Sequence, residues 1–392
     1  MILPEPKREF MKHWTGRRMI IMILLAIGLC LLIRGRSVMR YVEAGFLLAD
    51  IVAGDSRSVA RHMRSRVDKR TVSYRWEGRA RSADLYRPVG TARAGLVLLP
   101  GVAELGGDDP RLVAFARSLA RAGFVVLVPE LAGLRQLRVS FSDVQEVTDA
   151  FAWLVRQQEL VPAGKAGLAA FSYASGPALL AAMDDAIRDQ VAFVFAVGGY
   201  HDLRRVLTYF TTGYYVHNGR EKYLSPDDYG KWAFVAGNLD RIEDETDRKL
   251  LTTLARRLWR DPAAVTDDLV PSLGREGRSL WAFVNNRDPR LAPSLLAALP
   301  EAIRQEVSSL NLAAHDLSRL RAPLILVHGY EDPMIPFTES ISLARGVSNG
   351  RARLYLVHGL VHVDVAPALP DRWRLWLAMH DLLAARDGAL GF

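Results

Sequence analysis

The sequence has a single cysteine, Cys30, among its 392 residues. One cysteine excludes a disulfide within the chain and a zinc site built from thiolates. It leaves the redox compartment open, because a chain without disulfides can reside on either side of a membrane. The chain also lacks internal repeats and low-complexity tracts. Hydrophobic residues make up 50% of it and charged residues 24%, which indicates a globular protein with a sizeable core.

The main body of the chain lacks a net charge. The formal charge of +8 comes entirely from residues 1–70, which hold 14 Lys and Arg against 6 Asp and Glu, whereas residues 71–392 hold 37 of each. A neutral body without a stripe of basic and aromatic residues argues against a nucleic-acid partner. A basic N-terminal segment suits a membrane surface instead.

Residues 19–33 form the one long apolar segment, with arginines on both sides of it. At ~1.5 Å per residue a helix of this length spans about 22 Å, short of the roughly 30 Å hydrocarbon core, so it needs extension or snorkelling arginines. The residues that follow offer no small-residue cleavage site. We predict a basic flank at residues 1–18 and an uncleaved single-pass transmembrane anchor at residues 19–33. A signal peptide and a buried core helix are the alternatives.

The segment after the anchor, residues 34–70, is predicted to be a basic, helical linker. Residues 38–52 have helix-like apolar spacing that could pack on the body or on the bilayer surface. Asp55 or Ser56 could cap a second helix that ends near Asp68. Five basic residues precede the anchor and three follow it in the short flanks, which favours a body on the non-cytoplasmic side of the membrane.

From Thr71 onward, strand-like and helix-like segments alternate. A hairpin is expected first, with strands at residues 71–76 and 80–86. Buried strands are predicted at residues 95–100, 124–129, 166–171, 191–197, 324–328 and 353–357, and helices near residues 112–119, 144–155, 337–345 and 373–385. This alternation predicts the α/β fold class, with a mainly parallel sheet covered by helices on both faces.

The alternation stops near Tyr200 and resumes at Pro323. The residues between are helix-like and rich in aromatic side chains, and they are too many for a loop. We predict a helical cap insertion at residues 201–320, which divides the core into residues 71–200 and 321–392. Its expected place is over the carboxyl edge of the sheet, where open α/β sheets bind ligands. Most of its aromatic residues are expected to fill its own core.

Ser172 lies at the corner between the strand predicted at residues 166–171 and a helix that begins near Pro177. A serine hydroxyl becomes a nucleophile when it is held near a base and near backbone N–H groups that face the developing oxyanion. The residues two before and two after it, Ala170 and Ala174, are small enough for strand and helix to approach closely. The pattern is A-x-S-x-A rather than G-x-S-x-G. Alternatively, Ser172 is an ordinary turn or N-cap residue.

Asp332 and His362 each follow a different predicted strand. Side chains at the carboxyl ends of parallel strands meet at one edge of the sheet. A carboxylate there can orient an imidazole, which in turn can accept the proton of a serine. We therefore expect Ser172, Asp332 and His362 to meet.

At these residues the sequence resembles the α/β-hydrolase superfamily, from about Thr71 to the C-terminus. The motif HG-x-x-D-x-x-(I/V)P is met by His328, Gly329, Asp332, Ile335 and Pro336, and G-x-x-H by Gly359 and His362. The chain order of nucleophile, acid and histidine also agrees. The resemblance implies that Ser172 is the nucleophile, Asp332 the orienting acid and His362 the general base. It implies no metal and no organic cofactor.

The oxyanion hole of such a site would use two backbone N–H groups. One belongs to Tyr173, directly after the serine, and the other is expected from Val102, in the loop after the first core strand. Members of the superfamily commonly have His-Gly in that loop, where this chain has Pro100-Gly101.

Several residues compete for these roles. Ser175 is next to the corner but has bulkier neighbours. His358 could replace His362, or bind a metal with it at helical spacing, although no third ligand is evident. Asp202 could be an alternative acid or a helix N-cap, and the cap is favoured. Glu331 is expected to be solvated.

The sequence thus predicts a membrane-anchored serine hydrolase that cleaves a carboxylic ester. The aromatic cap and the anchor favour a lipophilic ester, so the expected partners are a small or lipid-like ester and a membrane. A thioesterase or a peptidase would use the same triad. A non-catalytic binding or scaffold protein is the other alternative, because the A-x-S-x-A and Pro100-Gly101 patterns depart from the superfamily and a fold does not guarantee its usual activity. The oligomeric state is open.

Overall fold

The computed structural model describes residues 35, 37–54, 66–347, 350–362, 364–365 and 369–391. The predicted anchor at residues 19–33 and the helix expected from Asp55 onward start outside these residues. Within the described part of the chain, no helix combines the length and the hydropathy that crossing a membrane requires.

In the part of the chain that the structure describes, twelve strands form one large sheet and two small hairpins. They are β1 (Val67–Trp76), β2 (Arg79–Pro88), β3 (Ala94–Leu99), β4 (Phe124–Pro129), β5 (Ala166–Phe171), β6 (Val191–Val197), β7 (Tyr214–His217), β8 (Arg220–Tyr223), β9 (Leu324–Gly329), β10 (Ala352–Val357), β11 (Leu360–Val361) and β12 (Asp364–Val365). The large sheet has the order β1-β2-β4-β3-β5-β6-β9-β10. Within this sheet, as far as the structure describes it, β2 pairs antiparallel with β1 and with β4, and the other pairs are parallel. The predicted α/β class with a mainly parallel sheet is confirmed.

Helices cover both faces of this sheet. They are α1 (37–53), α2 (Pro110–Arg121), α3 (Ala132–Arg135), α4 (Ser142–Arg156), α5 (Ser175–Ala182), α6 (Leu203–Thr212), α7 (Asp228–Ala236), α8 (Glu245–Arg260), α9 (Arg275–Val284), α10 (Ala292–Ala297), α11 (Glu301–Ser309), α12 (Thr338–Gly346) and α13 (Leu369–Arg386). Helices α1, α2 and α13 bury apolar residues against one face. Helices α4, α5 and α12 bury theirs against the other face.

The central strands are apolar because the sheet is covered on both sides. Every residue of β4, whose sequence is FVVLVP, is buried, and so is every residue of β9. A parallel strand in this position has no solvent-facing side that would call for alternating polar residues. Continuous apolar runs were therefore the correct signal for these strands.

The first strand departs from the prediction. Residues 67–70 were expected to belong to the linker, whose second helix was to end near Asp68, but they are the start of β1. Side chains of this strand find a partner across the hairpin in Asp84. Lys69 Nζ lies 2.6 Å from Asp84 Oδ2, and Thr71 donates a hydrogen bond of 2.8 Å to the same carboxylate. Cross-strand pairing thus outweighs the helix-like local sequence.

The chain between β6 and β9 contains α6 to α11 and the hairpin of β7 and β8. Three phenylalanines of this insertion, Phe210, Phe234 and Phe283, pack in mutual contact with ring centroids 5.7 to 6.3 Å apart. The same apolar cluster continues into the core beneath α5. The insertion is thus joined to the sheet by a shared core on the side of the serine turn.

Candidate active site

The turn between β5 and α5 holds Ser172 in a strained conformation. The strand ends at Phe171, residues 172–174 form one turn of 3₁₀ helix, and α5 begins at Ser175. Ser172 has a φ of +56°, a region that residues other than glycine rarely adopt and that is often found at functional sites. Ala170 and Ala174, two residues to either side, are buried. The small side chains allow strand and helix to meet at a sharp corner that carries the serine.

His362 and Asp332 are joined by a hydrogen bond. His362 Nδ1 donates to Asp332 Oδ2 at 3.2 Å. The other carboxylate oxygen, Oδ1, accepts from the backbone N–H groups of Met334 and Ile335 at 2.8 and 3.0 Å. Both residues come from loops at the carboxyl ends of neighbouring strands, β9 and β10. With Nδ1 occupied as a donor, Nε2 of His362 is left to act as a proton acceptor.

Asp332 is almost fully buried and is nevertheless held in its charged form. Burial alone would raise the pKa of its carboxyl, but the adjacent His362 and the hydrogen bonds from His328 and His362 outweigh burial and lower the pKa below its usual range. A carboxylate that stays ionised across the neutral range fixes the tautomer of the histidine it contacts. Asp332 therefore meets the requirements of an orienting acid.

Two further side chains hold the loop that carries Asp332. His328 Nε2 lies 3.4 Å from Asp332 Oδ2 and donates to the carbonyl of Ile335 at 2.9 Å. Tyr209, from α6, donates a hydrogen bond of 2.9 Å to the backbone carbonyl of Asp332. In the sequence, His328 stands out only as part of the HG-x-x-D-x-x-(I/V)P motif, and Tyr209 is one of several aromatic residues of the insertion. The contact of Tyr209 bridges 123 positions, which no local sequence pattern could indicate.

The loop after β3 runs beside the serine. A Cβ atom placed on Gly101 would lie 3.7 Å from the Cβ of Ser172, so this loop passes within van der Waals reach of the nucleophile candidate. Val102 follows directly. It lines two cavities together with Ser172, and Tyr173 lines one of them. The two residues predicted to supply oxyanion donors thus belong to segments that flank Ser172.

Tyr229, a residue of the insertion, holds this loop through a contact that the sequence does not indicate. Its hydroxyl donates a hydrogen bond of 3.0 Å to the carbonyl of Val102. Burial, together with the nearby Glu104, raises the pKa of Tyr229 to about 12, so the hydroxyl stays protonated and remains a donor at neutral pH. Tyr229 also contacts Trp259 edge to face, with ring centroids 5.0 Å apart.

Two cavities meet at Ser172 and His362. The first, about 90 Å³, lies beneath the insertion and is walled mainly by apolar residues of α6, α7 and α11. The second, about 850 Å³, is a trough that extends to the other side and is lined by residues of α1, α2 and α13. We call them the cap cavity and the trough. A reacting group at Ser172 would therefore have one small and one large space on its two sides.

The competing residues are placed away from this junction. Ser175 is fully buried, and its hydroxyl has no hydrogen-bond partner among the described residues. Glu331 is exposed, as expected, and also hydrogen-bonds His358. Asp202 caps α6 by accepting from the N–H of Arg204 at 3.0 Å. Within the described ranges, no group of three or more His, Cys, Asp or Glu side chains is placed to hold a metal ion.

Comparison with known proteins finds relatives by structure. No family model matches the chain, and no curated protein sequence matches it. A proposed hydrolase from Legionella pneumophila matches with a TM-score of 0.51 at 13% identity, over 82% of this chain and 90% of that chain. A dienelactone hydrolase from Anabaena variabilis matches with a TM-score of 0.42 at 15% identity, over 81% of this chain and 97% of that chain. A puromycin-hydrolysing peptidase from Mycobacterium tuberculosis matches with a TM-score of 0.46 at 15% identity, over 86% of this chain but 41% of that chain.

Proposed function

Since the chain has the α/β-hydrolase fold, we propose that it is a serine hydrolase that cleaves a carboxylic ester. The observation that supports this function best is the hydrogen bond between His362 and an ionised Asp332. His362 lines the same two cavities as Ser172. The strained backbone of Ser172 supports it further, because strain of this kind presents a nucleophile at a strand–helix corner.

In the proposed reaction, Ser172 Oγ attacks the carbonyl carbon of the ester while His362 Nε2 takes the hydroxyl proton. Asp332 stabilises the imidazolium that results. The backbone N–H groups of Val102 and Tyr173 hold the oxyanion. When the tetrahedral intermediate collapses, the bond to the alcohol breaks and His362 returns the proton to it. Water then attacks the acyl-enzyme with His362 as base, which releases the acid and restores the serine.

We also propose that residues 19–33 anchor the chain in a membrane, as a single-pass segment. The support is the uninterrupted apolar sequence between arginine pairs and the basic character of residues 1–70. An ester that partitions into membranes is then the favoured substrate. The experiment is carbonate washing of membranes from cells that express the full chain. Retention in the pellet is expected, and release into the wash would contradict the anchor.

The hydrolase proposal is tested by turnover of p-nitrophenyl esters by the full chain in detergent. Ser172→Ala is expected to lower kcat/KM by roughly 10⁴-fold or more, because removing one member of a triad disables the others. Ser175→Ala is the matched control, three residues away. Its hydroxyl is buried without a partner, so its removal is expected to be nearly neutral. Absence of turnover in well-folded wild-type protein would favour the scaffold alternative.

A further inference from the structure

Helix α1 turns an apolar stripe toward solvent. Val38, Val42, Gly45, Ala49 and Val52 follow one another at intervals of four and three residues, which places them along one side of a helix. The three valines are 60%, 47% and 48% exposed. A surface helix of a soluble domain normally has a polar outer side, whereas α1 is apolar on its outer side as well as on the side that packs on the core.

The charged residues of α1 face the body of the protein. Each of the three forms an ion pair with the core. The pairs are Arg40 with Asp387, Glu43 with Arg386 and Asp50 with Arg121, at N–O distances of 3.4, 2.7 and 2.6 Å. These pairs fix the rotation of the helix about its axis. The outward position of the stripe is therefore a built feature of the fold and not a consequence of a loosely attached helix.

An exposed tryptophan extends the stripe at its first turn. Trp373, at the start of α13, is more than half exposed. Its ring contacts Trp376, whose indole N–H donates 2.7 Å to the carbonyl of Tyr41 in α1. Arg372 and Arg374 flank Trp373 in the sequence and are exposed. Tryptophan and arginine together are typical of a surface that meets the headgroup region of a bilayer.

The other end of the stripe reaches the trough. Val52 lines the trough together with two further exposed apolar residues, Leu105 and Val361. The trough in turn leads to Ser172 and His362. A path lined mostly by apolar residues, with Glu104, Asp109 and Arg111 also on its wall, thus runs from the outer side of α1 to the serine.

The chain that precedes α1 indicates which partner contacts this surface. The apolar segment of residues 19–33 ends four residues before Ser37, and four residues of extended chain reach at most about 14 Å. If that segment lies in a bilayer, the first turn of α1 is held at the bilayer surface. We propose that the outer side of α1, with Trp373, lies flat on the lipid bilayer and that a long-chain ester passes from the bilayer through the trough to Ser172. The passage of substrate rests on the proposed hydrolase function, and the docking of α1 rests on the proposed anchor and not on the hydrolase function.

Lipid contact is measured with single cysteines in a Cys30→Ser background, which has no other cysteine. Val42→Cys and Val52→Cys are labelled with a nitrobenzoxadiazole fluorophore, and the full chain is reconstituted into vesicles of phosphatidylcholine and phosphatidylglycerol. Nitroxide-labelled lipid is expected to quench both positions to a similar extent. Val265→Cys, at a 71% exposed valine of the insertion, is the matched control and should show at least about threefold less quenching.

The two labelled positions separate a flat helix from an upright one. They are ten residues apart, or about 15 Å along a helix, so an upright helix held only by its tether would lose quenching at residue 52. That result would overturn the proposal. Fluorescence that is blue-shifted but not quenched at both positions would also overturn the proposal, because it would indicate that residues 19–33 cover the surface. Disulfide formation between unlabelled Val42→Cys chains would overturn it as well, because it would indicate that a second copy covers the surface.

Turnover gives a second, independent test. The full-chain variant Val38→Glu/Val42→Glu, whose positions are outside the trough, is expected to lose about tenfold activity toward a long-chain ester embedded in the vesicles and to retain its activity toward soluble p-nitrophenyl acetate. Val265→Glu should change neither. Equal activity of both variants on the embedded ester would contradict the passage of substrate. Absence of all turnover in the wild type, with quenching intact, would remove the hydrolase proposal and leave the docking surface.

Discussion

The two cavities that meet at Ser172 differ about ninefold in volume, 90 against 850 Å³. The cap cavity is lined largely by helices of the insertion, whereas the trough is lined largely by α1, α2 and α13, together with Tyr229 and Trp259 of the insertion. A serine at such a junction would accept an ester with one compact arm and one long arm. The helices of the insertion thus restrict the size of one arm of the ester, whereas the core helices and α1 leave room for a long second arm.

The largest effect is expected from breaking the junction itself. His362→Ala and Asp332→Asn should each lower kcat/KM by roughly 10⁴-fold, because the first removes the base and the second leaves the imidazole in the wrong tautomer. Both should act equally on esters with a long acyl chain and on esters with a long alcohol. His358→Ala, at the neighbouring histidine that hydrogen-bonds Glu331, is the control. Steady-state kinetics in detergent measures all three, and a comparable loss in the control would contradict the roles assigned here.

A smaller but still large effect is expected at the wall that the two cavities share. Tyr229 lines both cavities and fastens the loop of Val102. Tyr229→Phe should lower kcat by about 10- to 100-fold with little change in KM. This is less than the 100- to 1,000-fold expected for losing an oxyanion donor outright, since the donor remains but is less well placed. Tyr214→Phe, in the β7 hairpin, is the control. An increase in KM alone would mean that Tyr229 only shapes the cavity.

The difference in volume is tested by a matched pair of substitutions. Ala233→Leu projects into the cap cavity and Ala114→Leu into the trough. The first should lower kcat/KM for esters with a compact branched arm by about 10- to 100-fold, in the range that a misfit of one or two methylene groups produces. The second should change kcat/KM by less than about threefold. Chain-length series in the acyl and in the alcohol part reveal which arm enters which cavity, and equal tolerance in both series would contradict the comparison.

The smallest effect on turnover is expected at the loop that lines the cap cavity with Leu137 and Val139. Asp143 holds this loop by accepting from the N–H of Ser140 at 2.8 Å, and burial raises the pKa of its carboxyl from 3.8 to about 7. The folded state therefore binds the proton more tightly than the unfolded state. This contribution to stability is complete below pH 3.8 and is lost as the pH rises to 7.

Asp143→Asn keeps an acceptor for Ser140 without the ionisation. Urea unfolding of wild type and variant should show that the variant gains relative stability, about 3 kcal/mol, as the pH rises from 4 to 7. Above about pH 8, where the carboxyl is ionised in both states, the difference should be constant. A difference that does not depend on pH would show that Asp143 does not titrate as described.

The sequence was informative wherever a local pattern decides the structure. Continuous apolar runs predicted β4, β5 and β9 to within about one residue, and Asp332 and His362 were expected at neighbouring strand ends, where they indeed hydrogen-bond. Their catalytic roles stay predictions. The start of β1 was missed because its sequence is charged and helix-like, and the ion pair of Lys69 with Asp84 forms only across the hairpin.

The contacts made by the insertion could not be predicted. Tyr229 and Val102 are separated by 127 positions, and Tyr209 and Asp332 by 123. Only the packing of α6 and α7 over the strand ends brings these groups together, and amphipathic spacing does not reveal which tyrosine of a helix will face a loop. The same holds for α1, whose stripe is recognisable as exposed only once its ion pairs to the core are known.

The central claim is that Ser172 is a nucleophile activated by His362. Its most direct test is covalent labelling of the full chain in detergent with a fluorophosphonate probe, followed by peptide mass spectrometry. We expect one modified residue, Ser172, with labelling abolished in Ser172→Ala and strongly slowed in His362→Ala. Labelling that persists in Ser172→Ala, or a well-folded wild-type protein that the probe does not modify, would contradict the claim.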